Sequence, residues 1–349
     1  MAYTTIDDPS AYFQTAIWSG TGSALSVTFD GNSDMQPDMV WVKNRTTSSD
    51  HRLSDSVRGT SSHLVPNDAA AIDTSSTALT AFNSDGFSVG TEQSYSQSGK
   101  NHVGWAWKAG TSFTNDASGT GIGTIDSAGS VSTDAGFSIT KFTADGNNLT
   151  AAHGLGVAPT MIITKNLSIS KQWSVYHSSL GAGKAIFLNV TDVADTDNTY
   201  WNNTAPTSTT LSYGTWSGNN NGNEIIAYCF AEKKGYSKFG SYTGNGNADG
   251  TFVYTGQKSA FIMIKASSRV GTWNMYDVKR STFNNVDDFI TANTPDAETT
   301  GNTYQNIDIL SNGFKCRGTG TGTNESGSTY IYMAFAENPF VTSTGVPAT

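Results

Sequence analysis

Carboxylates are the side chains in this sequence that could cleave a glycan or hold calcium. Glycoside hydrolysis needs two carboxyl groups roughly 5–10 Å apart, and the sequence has no Glu-x-Asp-x-x-Glu strand pattern that would supply them. Asp192, Asp195 and Asp197 lie close together in a loop-like segment and are the candidates for calcium ligands. An Asp-rich turn is the simpler interpretation, so we expect no catalytic residue and no resident metal or cofactor.

The two cysteines and five histidines show no spacing typical of a metal site. Cys229 and Cys316 fall within apolar strand-like runs, where a small buried side chain fits. We therefore expect structural roles for these residues.

Two aromatic clusters beside asparagines predict a sugar-binding surface. Rings outside the shared strand pattern, in loop-like sequence, are better binding candidates than rings within it. Both clusters lie in the middle part of the chain, and their residues are Tyr200, Trp201, Asn202, Trp216 and Asn219. The alternative is that these rings pack against a neighbouring repeat or subunit.

Internal repetition organises the rest of the sequence. Three apolar runs end in lysine, at Lys43, Lys165 and Lys265. A tryptophan-containing run follows two of them, at Trp173 and Trp273, and each copy closes with another apolar run. A position used in every copy indicates a role in the fold. We therefore expect the three lysines to be structurally equivalent and to make a strand-end salt bridge or carbonyl contact.

The runs are short, rich in β-branched and aromatic residues, and separated by Gly, Asn, Asp and Ser, which is typical of β-strands. Side chains alternate along a strand, so each closing run has a face of large residues and a face of small ones. The large residues are Trp105 and Trp107, Tyr228 and Phe230, and Met333 and Phe335. We predict that the large face fills a core and that the small face lies under another sheet, a loop or a subunit.

The predicted fold class is all-β, with three tandem related β-sandwich repeats. We place the repeats at residues 1–110, 136–235 and 236–349, the last with a short exposed tail. The Gly/Ser/Thr-rich segment 111–135 is predicted to be a linker.

Charge and hydropathy argue against several classes of function. The net charge is −9, and without a basic cluster we expect no nucleic-acid partner. No apolar run reaches the roughly 18 residues of a membrane span, so we expect no membrane insertion. The polar start of the chain does not resemble a secretory signal. Two cysteines cannot form a disulfide scaffold, which predicts folding in a reducing cytoplasm.

Four segments resemble a family of virion proteins from tailed bacteriophages of marine and environmental origin. They are GYSKFGSYTGNG at 235–246, AFAENPF at 334–340, HGLGVAP at 153–159 and VYHSSLG at 175–181. The domain of that family has no assigned function and is described as concanavalin A-like or tail-fibre-like. The resemblance covers nearly the whole chain. It implies jelly-roll or concanavalin A-like sandwiches and a place in the virion after synthesis in the host cytoplasm, and it transfers no catalytic residue.

From the resemblance and the aromatic loops we predict a non-enzymatic tail fibre or spike component that binds a host-surface glycan. The alternatives are a capsid-surface decoration or head-fibre protein and, third, a glycan depolymerase. Small faces on the closing strands and low surface charge favour subunit packing, and multivalency strengthens weak adsorption. We therefore expect a homotrimer that contacts other tail or capsid proteins.

Overall fold

The computed structural model of the chain describes residues 2–216 and 218–347. Within them the chain is almost entirely antiparallel β-structure, with two short helices, Gln93–Ser96 and Ala117–Thr120, and a 3₁₀ turn at Pro9–Ala11. The predicted all-β sandwich class is confirmed. In this part of the chain no helix has the length and apolar character needed to cross a membrane.

The strands fall into three consecutive groups, which we call units one, two and three. Unit one contains β1 Phe13–Ser19, β2 Leu25–Val27, β3 Met39–Asn44, β4 Arg52–Asp55, β5 Ser62–His63, β6 Asp73–Thr74, β7 Leu79–Asn83, β8 Gly86–Val89 and β9 Asn101–Trp107. Unit two contains β10 Thr111–Asn115, β11 Ser127–Ser132, β12 Phe137–Thr143, β13 Leu149–Ala152, β14 Met161–Asn166, β15 Ser174–His177, β16 Lys184–Phe187, β17 Asp195–Thr196, β18 Thr210–Tyr213 and β19 Glu224–Phe230. Unit three contains β20 Ser237–Thr243, β21 Phe252–Tyr254, β22 Gln257–Ala266, β23 Trp273–Asp277, β24 Ile290–Thr291, β25 Ile307–Leu310, β26 Gly313–Cys316 and β27 Thr329–Pro339.

One strand order builds the main sheet of each unit. An early strand of the unit pairs with the closing strand. The closing strand pairs with the lysine-containing strand, which pairs with the next strand along the chain. The three orders are β1-β9-β3-β4, β12-β19-β14-β15 and β20-β27-β22-β23. Each unit also has a smaller second sheet, and these are β2-β8-β7, β13-β18 and β21-β26-β25.

The two faces of each closing strand are buried in different places. The small face lies in a core within its own unit, as Ala106 does with Phe87 and Val89 of the second sheet in unit one. Units two and three have corresponding cores around Ala227 and Ala334. The large faces of the three main sheets instead meet in one shared core, which contains Trp105, Tyr228 and Met333. The large face of each closing strand is therefore buried only when the other two units are in place.

The prediction of a linker at 111–135 is wrong. Strand β10 pairs with β11, and β11 pairs in turn with β12 at the edge of the main sheet of unit two. Gly129 permits this pairing, because a Cβ atom at that position would lie 1.8 Å from the carbonyl oxygen of Ile139. A Ser- and Gly-rich sequence has little intrinsic strand propensity, and the neighbouring strand supplies the missing order. The boundaries at 1–110, 136–235 and 236–349 stay a prediction.

The three units close into a ring through equivalent side-chain hydrogen bonds. In each bond an indole or imidazole nitrogen of one unit lies against a backbone carbonyl of another. The pairs are Trp173 Nε1 with Val65 O at 3.0 Å, Trp273 Nε1 with Phe187 O at 2.8 Å, and His51 Nε2 with Thr291 O at 3.1 Å. These bonds join unit two to one, three to two, and one to three. The three residues that donate or face these carbonyls also bond through their backbone amides to an asparagine of their own unit. The asparagines are Asn67, Asn189 and Asn293, and each lies two residues beyond the accepting carbonyl of that unit.

Backbone hydrogen bonds repeat around the same ring. One set consists of Lys171 N to Ala69 O at 2.9 Å, Gly271 N to Thr191 O at 2.8 Å and Ser49 N to Pro295 O at 2.8 Å. A second set consists of Ile72 N to Leu167 O at 3.0 Å, Ala194 N to Ser267 O at 3.0 Å and Glu298 N to Arg45 O at 2.9 Å. The bonded residues therefore occupy equivalent positions in the three units at every interface. The three units of this single chain are thus related by approximate threefold symmetry.

Candidate functional site

The three repeated lysines occupy one register at the unit interfaces. Lys43, Lys165 and Lys265 lie opposite aliphatic residues of the closing strands and are fully buried. Each Nζ donates to the carbonyl of the following residue, at 2.6, 2.8 and 2.9 Å respectively. Burial lowers the pKa of each lysine to about 8. The contact is thus to carbonyl oxygen, and Lys265 extends it across the interface to the carbonyl of Asp192 at 2.9 Å.

Buried ion pairs support two of the three interfaces, and sequence reasoning missed them. In unit one Asp55 accepts from Arg58 Nε at 2.6 Å and from the Tyr228 hydroxyl of unit two at 2.6 Å. In unit three Asp277 accepts from Arg280 Nε at 2.5 Å and from Trp105 Nε1 of unit one at 2.9 Å. The sequence signal was the shared Asp-x-x-Arg spacing at equivalent positions of the two copies.

At the third interface, between units two and three, each position of this network holds a residue that needs no counter-charge. His177 stands at the aspartate position, Leu180 at the arginine position and Met333 at the donor position. His177 Nε2 lies 3.3 Å from the carbonyl oxygen of Tyr332, and its Nδ1 accepts from Ser179 N. Burial lowers the pKa of His177 to about 4, so the ring is neutral near pH 7. The aspartate, its arginine and the Tyr or Trp hydrogen-bond donor are thus all present at an interface or all absent from it, which avoids an unpaired buried charge.

The two tryptophans that recur at one position of units two and three have structural roles. Trp173 and Trp273 are buried and make the ring-closing bonds described above. His51 replaces them in unit one, and its Nδ1 accepts from Trp41 Nε1 at 2.9 Å. That bond leaves the proton on Nε2, which faces the carbonyl oxygen of Thr291.

Trp201 does not belong to an exposed sugar platform, and that prediction is wrong. The residue is 2% exposed, packs against Tyr176 and Tyr213, and donates from Nε1 to the carbonyl of Lys184 at 2.9 Å. It fills the core between the two sheets of unit two.

The two candidate asparagines differ in their surroundings. Asn219 is buried, and its Nδ2 donates to the carbonyls of Asn147 and Gly214 at 2.7 and 2.6 Å, so it fixes the loop rather than reaching a ligand. Asn202 is exposed and adopts a φ of 50° in the turn beside Trp201. Only Asn202 of the pair presents its side chain to solvent.

Tyr200 and Trp216 line a cleft where unit two meets unit one. Their ring centroids are 5.5 Å apart, and the cavity of about 300 Å³ is also bounded by Phe187, Lys171 and Gln172. Trp216 is 7% exposed, so it forms part of the wall rather than an open platform. Burial and the carboxylates of Asp195 and Asp197 raise the pKa of Tyr200, which keeps its hydroxyl protonated as a donor. Aromatic wall and amide and ammonium groups therefore converge in one concave site.

The three loop aspartates do not form a metal centre. Within residues 2–216 and 218–347, no group of three or more His, Cys, Asp or Glu side chains is placed to hold an ion. The Asp197 carboxylate accepts from the amide of Thr199 in a local turn, and the carbonyl of Asp192 accepts from Lys265. The side chains of Asp192, Asp195 and Asp197 therefore do not converge as one set of calcium ligands.

The two cysteines and Ser88 do not line the cleft. Cys229 and Cys316 are buried free thiols, and burial raises the pKa of each to about 12. A Gly-x-Ser-x-Gly sequence occurs at 86–90, but Ser88 lies within β8 and its hydroxyl contacts the Ser26 hydroxyl at 2.9 Å. A nucleophile elbow instead needs a sharp turn between a strand and a helix.

The fold and sites define an all-β protein in which three sandwich units share one central core. Residues 8–339 match a family described as a domain of unknown function, DUF7483, and the chain belongs to that family. No curated protein and no solved structure matches the chain.

Proposed function

We propose that this chain is a non-enzymatic structural protein of a tailed-phage virion, placed in the tail fibre or spike, and that it binds a host-surface glycan. The resemblance of four sequence segments to phage virion proteins supports the location. The observation that carries the binding role is the cleft between units one and two, where Tyr200 and Trp216 lie beside Lys171 and Gln172.

The chemistry of this cleft suits a sugar. The ring of Tyr200 offers an apolar surface to the C–H groups of a pyranose, while the amide of Gln172 and the ammonium of Lys171 bond its hydroxyls. Lys171 and Gln172 are partly exposed, and the backbone amide of Lys171 is already fixed by its bond to Ala69 O. The polar side chains can therefore contact a ligand while the backbone beneath them stays in place.

We retain a homotrimer in contact with other virion proteins as part of the proposal. The small faces of the closing strands do not support it, because the second sheets of the same chain cover them and leave no face for another subunit. The remaining ground is multivalency, which makes weak sugar contacts firm. Light scattering at micromolar concentration should give three times the mass of one chain, and the 36.9 kDa of a monomer would count against it.

Two experiments test location and binding. Immunogold labelling of purified particles should mark the tail; label on the head would select the decoration or head-fibre alternative, and unlabelled particles would refute a virion role. K171A/Q172A should lower binding of the purified protein to host cells by fivefold or more, while K238A, a change outside the cleft, should leave it unchanged. Release of reducing ends from host polysaccharide would select the depolymerase.

A further inference from the structure

A second concave site lies at a different interface, the one between units one and three. Two adjoining clefts of about 230 and 410 Å³ share Val278, Lys279 and Glu337 in their walls. We call the two together the 1–3 groove. It is separate from the Tyr200 cleft, which is bounded by units one and two.

Charged groups of both signs stand along the 1–3 groove in pairs. Lys279 Nζ lies 2.7 Å from Asp30 of unit one, and Lys258 Nζ lies 2.9 Å from Glu337. Their side chains are substantially exposed, and such surface pairs contribute only about 0–1 kcal/mol. A ligand hydroxyl can therefore insert beside either pair, donate to the carboxylate and accept from the ammonium at little cost to the fold.

The floor of the groove is rigid. Gln14 is buried and bonded to the carbonyls of Ser10 and Ser33 and to the amide of Gly31, at 2.9, 2.8 and 2.9 Å. These bonds hold β1 to the loop that carries Asp30, so the Asp30 carboxylate stands on a fixed backbone at the edge of the groove.

An exposed ring stands at the other end of the groove. Phe283 lines the larger cleft and is 84% exposed, more than any other large apolar side chain described. The neighbouring backbone is held, because Asn284 bonds to both the amide and the carbonyl of Ile309 at 2.9 Å. The chain thus presents a phenyl face to solvent from a fixed position, which suits stacking on the apolar face of a sugar ring.

We propose that the 1–3 groove binds a neutral oligosaccharide, with its hydroxyls at the two ion pairs and a sugar ring against Phe283. Three carboxylates, Asp8, Asp30 and Glu337, face two lysines in the lining, which disfavours an acidic polymer. Among the described residues, Phe283 is the one exposed ring in the lining of the two clefts, and it offers little apolar area, which disfavours a protein partner. The inference rests on the proposed glycan-binding function but concerns a different site, so the two can fail separately.

Affinity electrophoresis tests the proposal with named probes. The protein is run through native gels that contain dextran, laminarin, galactomannan, xylan or the acidic polymer alginate. We expect at least one neutral polymer to retard the full chain. F283A and K279A should each weaken that retardation at least fivefold, and K279A should leave the unfolding temperature nearly unchanged, because an exposed ion pair such as Lys279 with Asp30 contributes only about 0–1 kcal/mol. Y304A, which removes a ring that is 69% exposed outside the groove, is the control and should bind as the unaltered chain does.

The results separate the two sites. Retardation by no neutral polymer, by alginate alone, or equally for F283A, K279A and the unaltered chain would overturn the 1–3 groove. Loss of retardation in K171A/Q172A with full retardation in F283A would leave the glycan function standing at the Tyr200 cleft and remove it from this groove. Loss of retardation in F283A and K279A with full retardation in K171A/Q172A would assign the glycan function to the 1–3 groove and remove it from the Tyr200 cleft.

Discussion

Replacing Asp55 with alanine should destabilise the whole molecule, because it leaves a buried arginine without a counter-charge. The Arg58 side chain is 2% exposed, and Asp55 is its only acidic partner within the described residues. Asp277 is a weaker case, since Glu298 would still pair with Arg280 at 2.7 Å. Breaking a buried pair in this way costs about 3–5 kcal/mol. D55A also removes the acceptor of the Tyr228 hydroxyl, which links units one and two.

The expected shift in melting temperature follows from the size of the chain. An unfolding entropy of about 2.1 cal/mol/K per residue gives about 0.7 kcal/mol/K for 349 residues. A loss of 3–5 kcal/mol then lowers the melting temperature by about 4–7 °C. Differential scanning calorimetry should show this as one shifted transition, because the shared core couples the three units.

The third interface supplies the matched control. D55H/R58L installs at the first interface the His and Leu that unit two carries at His177 and Leu180. The double variant has no unpaired charge, and its imidazole can accept from Tyr228, so it should melt at least 3 °C above D55A. If it melts at or below D55A, or if D55A melts within 1 °C of the unaltered chain, the buried Arg58 charge is not the source of the cost.

Three further predictions concern pH and the shared core. Burial holds the pKa of His51 at about 3 and that of His177 at about 4; the unfolded chain then binds more protons below pH 6.5, so the free energy of unfolding should fall from pH 6.5 toward 3, and urea titrations of H177Q should show a shallower fall. Lys165, with a folded pKa of about 8 against 10.5 unfolded, should make the free energy of unfolding rise by about 1 kcal/mol between pH 7 and 9, and K165M should remove that part of the rise. Residues 237–339 expressed alone should give no folded monomer, because their large face loses the cover of the other units; a sharp reversible melt of a monomer would contradict this.

The repeat pattern located the strands but not the partners of their faces. Alternation in the closing runs correctly indicated a large face and a small face around Trp105 and Ala106. Both faces read as core from sequence, since burial within a unit and burial between units demand the same apolar side chains. Only the contacts show that Trp105 reaches Asp277 of unit three.

The candidate sugar residues illustrate a second limit. Tyr200 and Trp201 are adjacent and chemically similar, yet Trp201 is core and Tyr200 lines a cleft. Sequence cannot separate them, because loop-like composition does not tell which side of a turn faces solvent. The 1–3 groove was missed for a related reason: Asp30 and Phe283 are distant in the chain, and neither stands out in the sequence alone.

By itself, the sequence determined that the chain is all-β, where its main strands run, and that three lysines recur at one position. These properties follow from local alternation, β-propensity and turn residues, which act over a few neighbours. Tertiary structure alone decided that the units close into a ring around one core and that 111–115 and 127–132 join a sheet. It also decided which rings remain at the surface. Closure of the ring depends on hydrogen bonds between residues more than 50 positions apart, such as Trp173 with Val65. The two added strands depend on pairing with each other and with β12, which their own Ser- and Gly-rich sequence does not indicate.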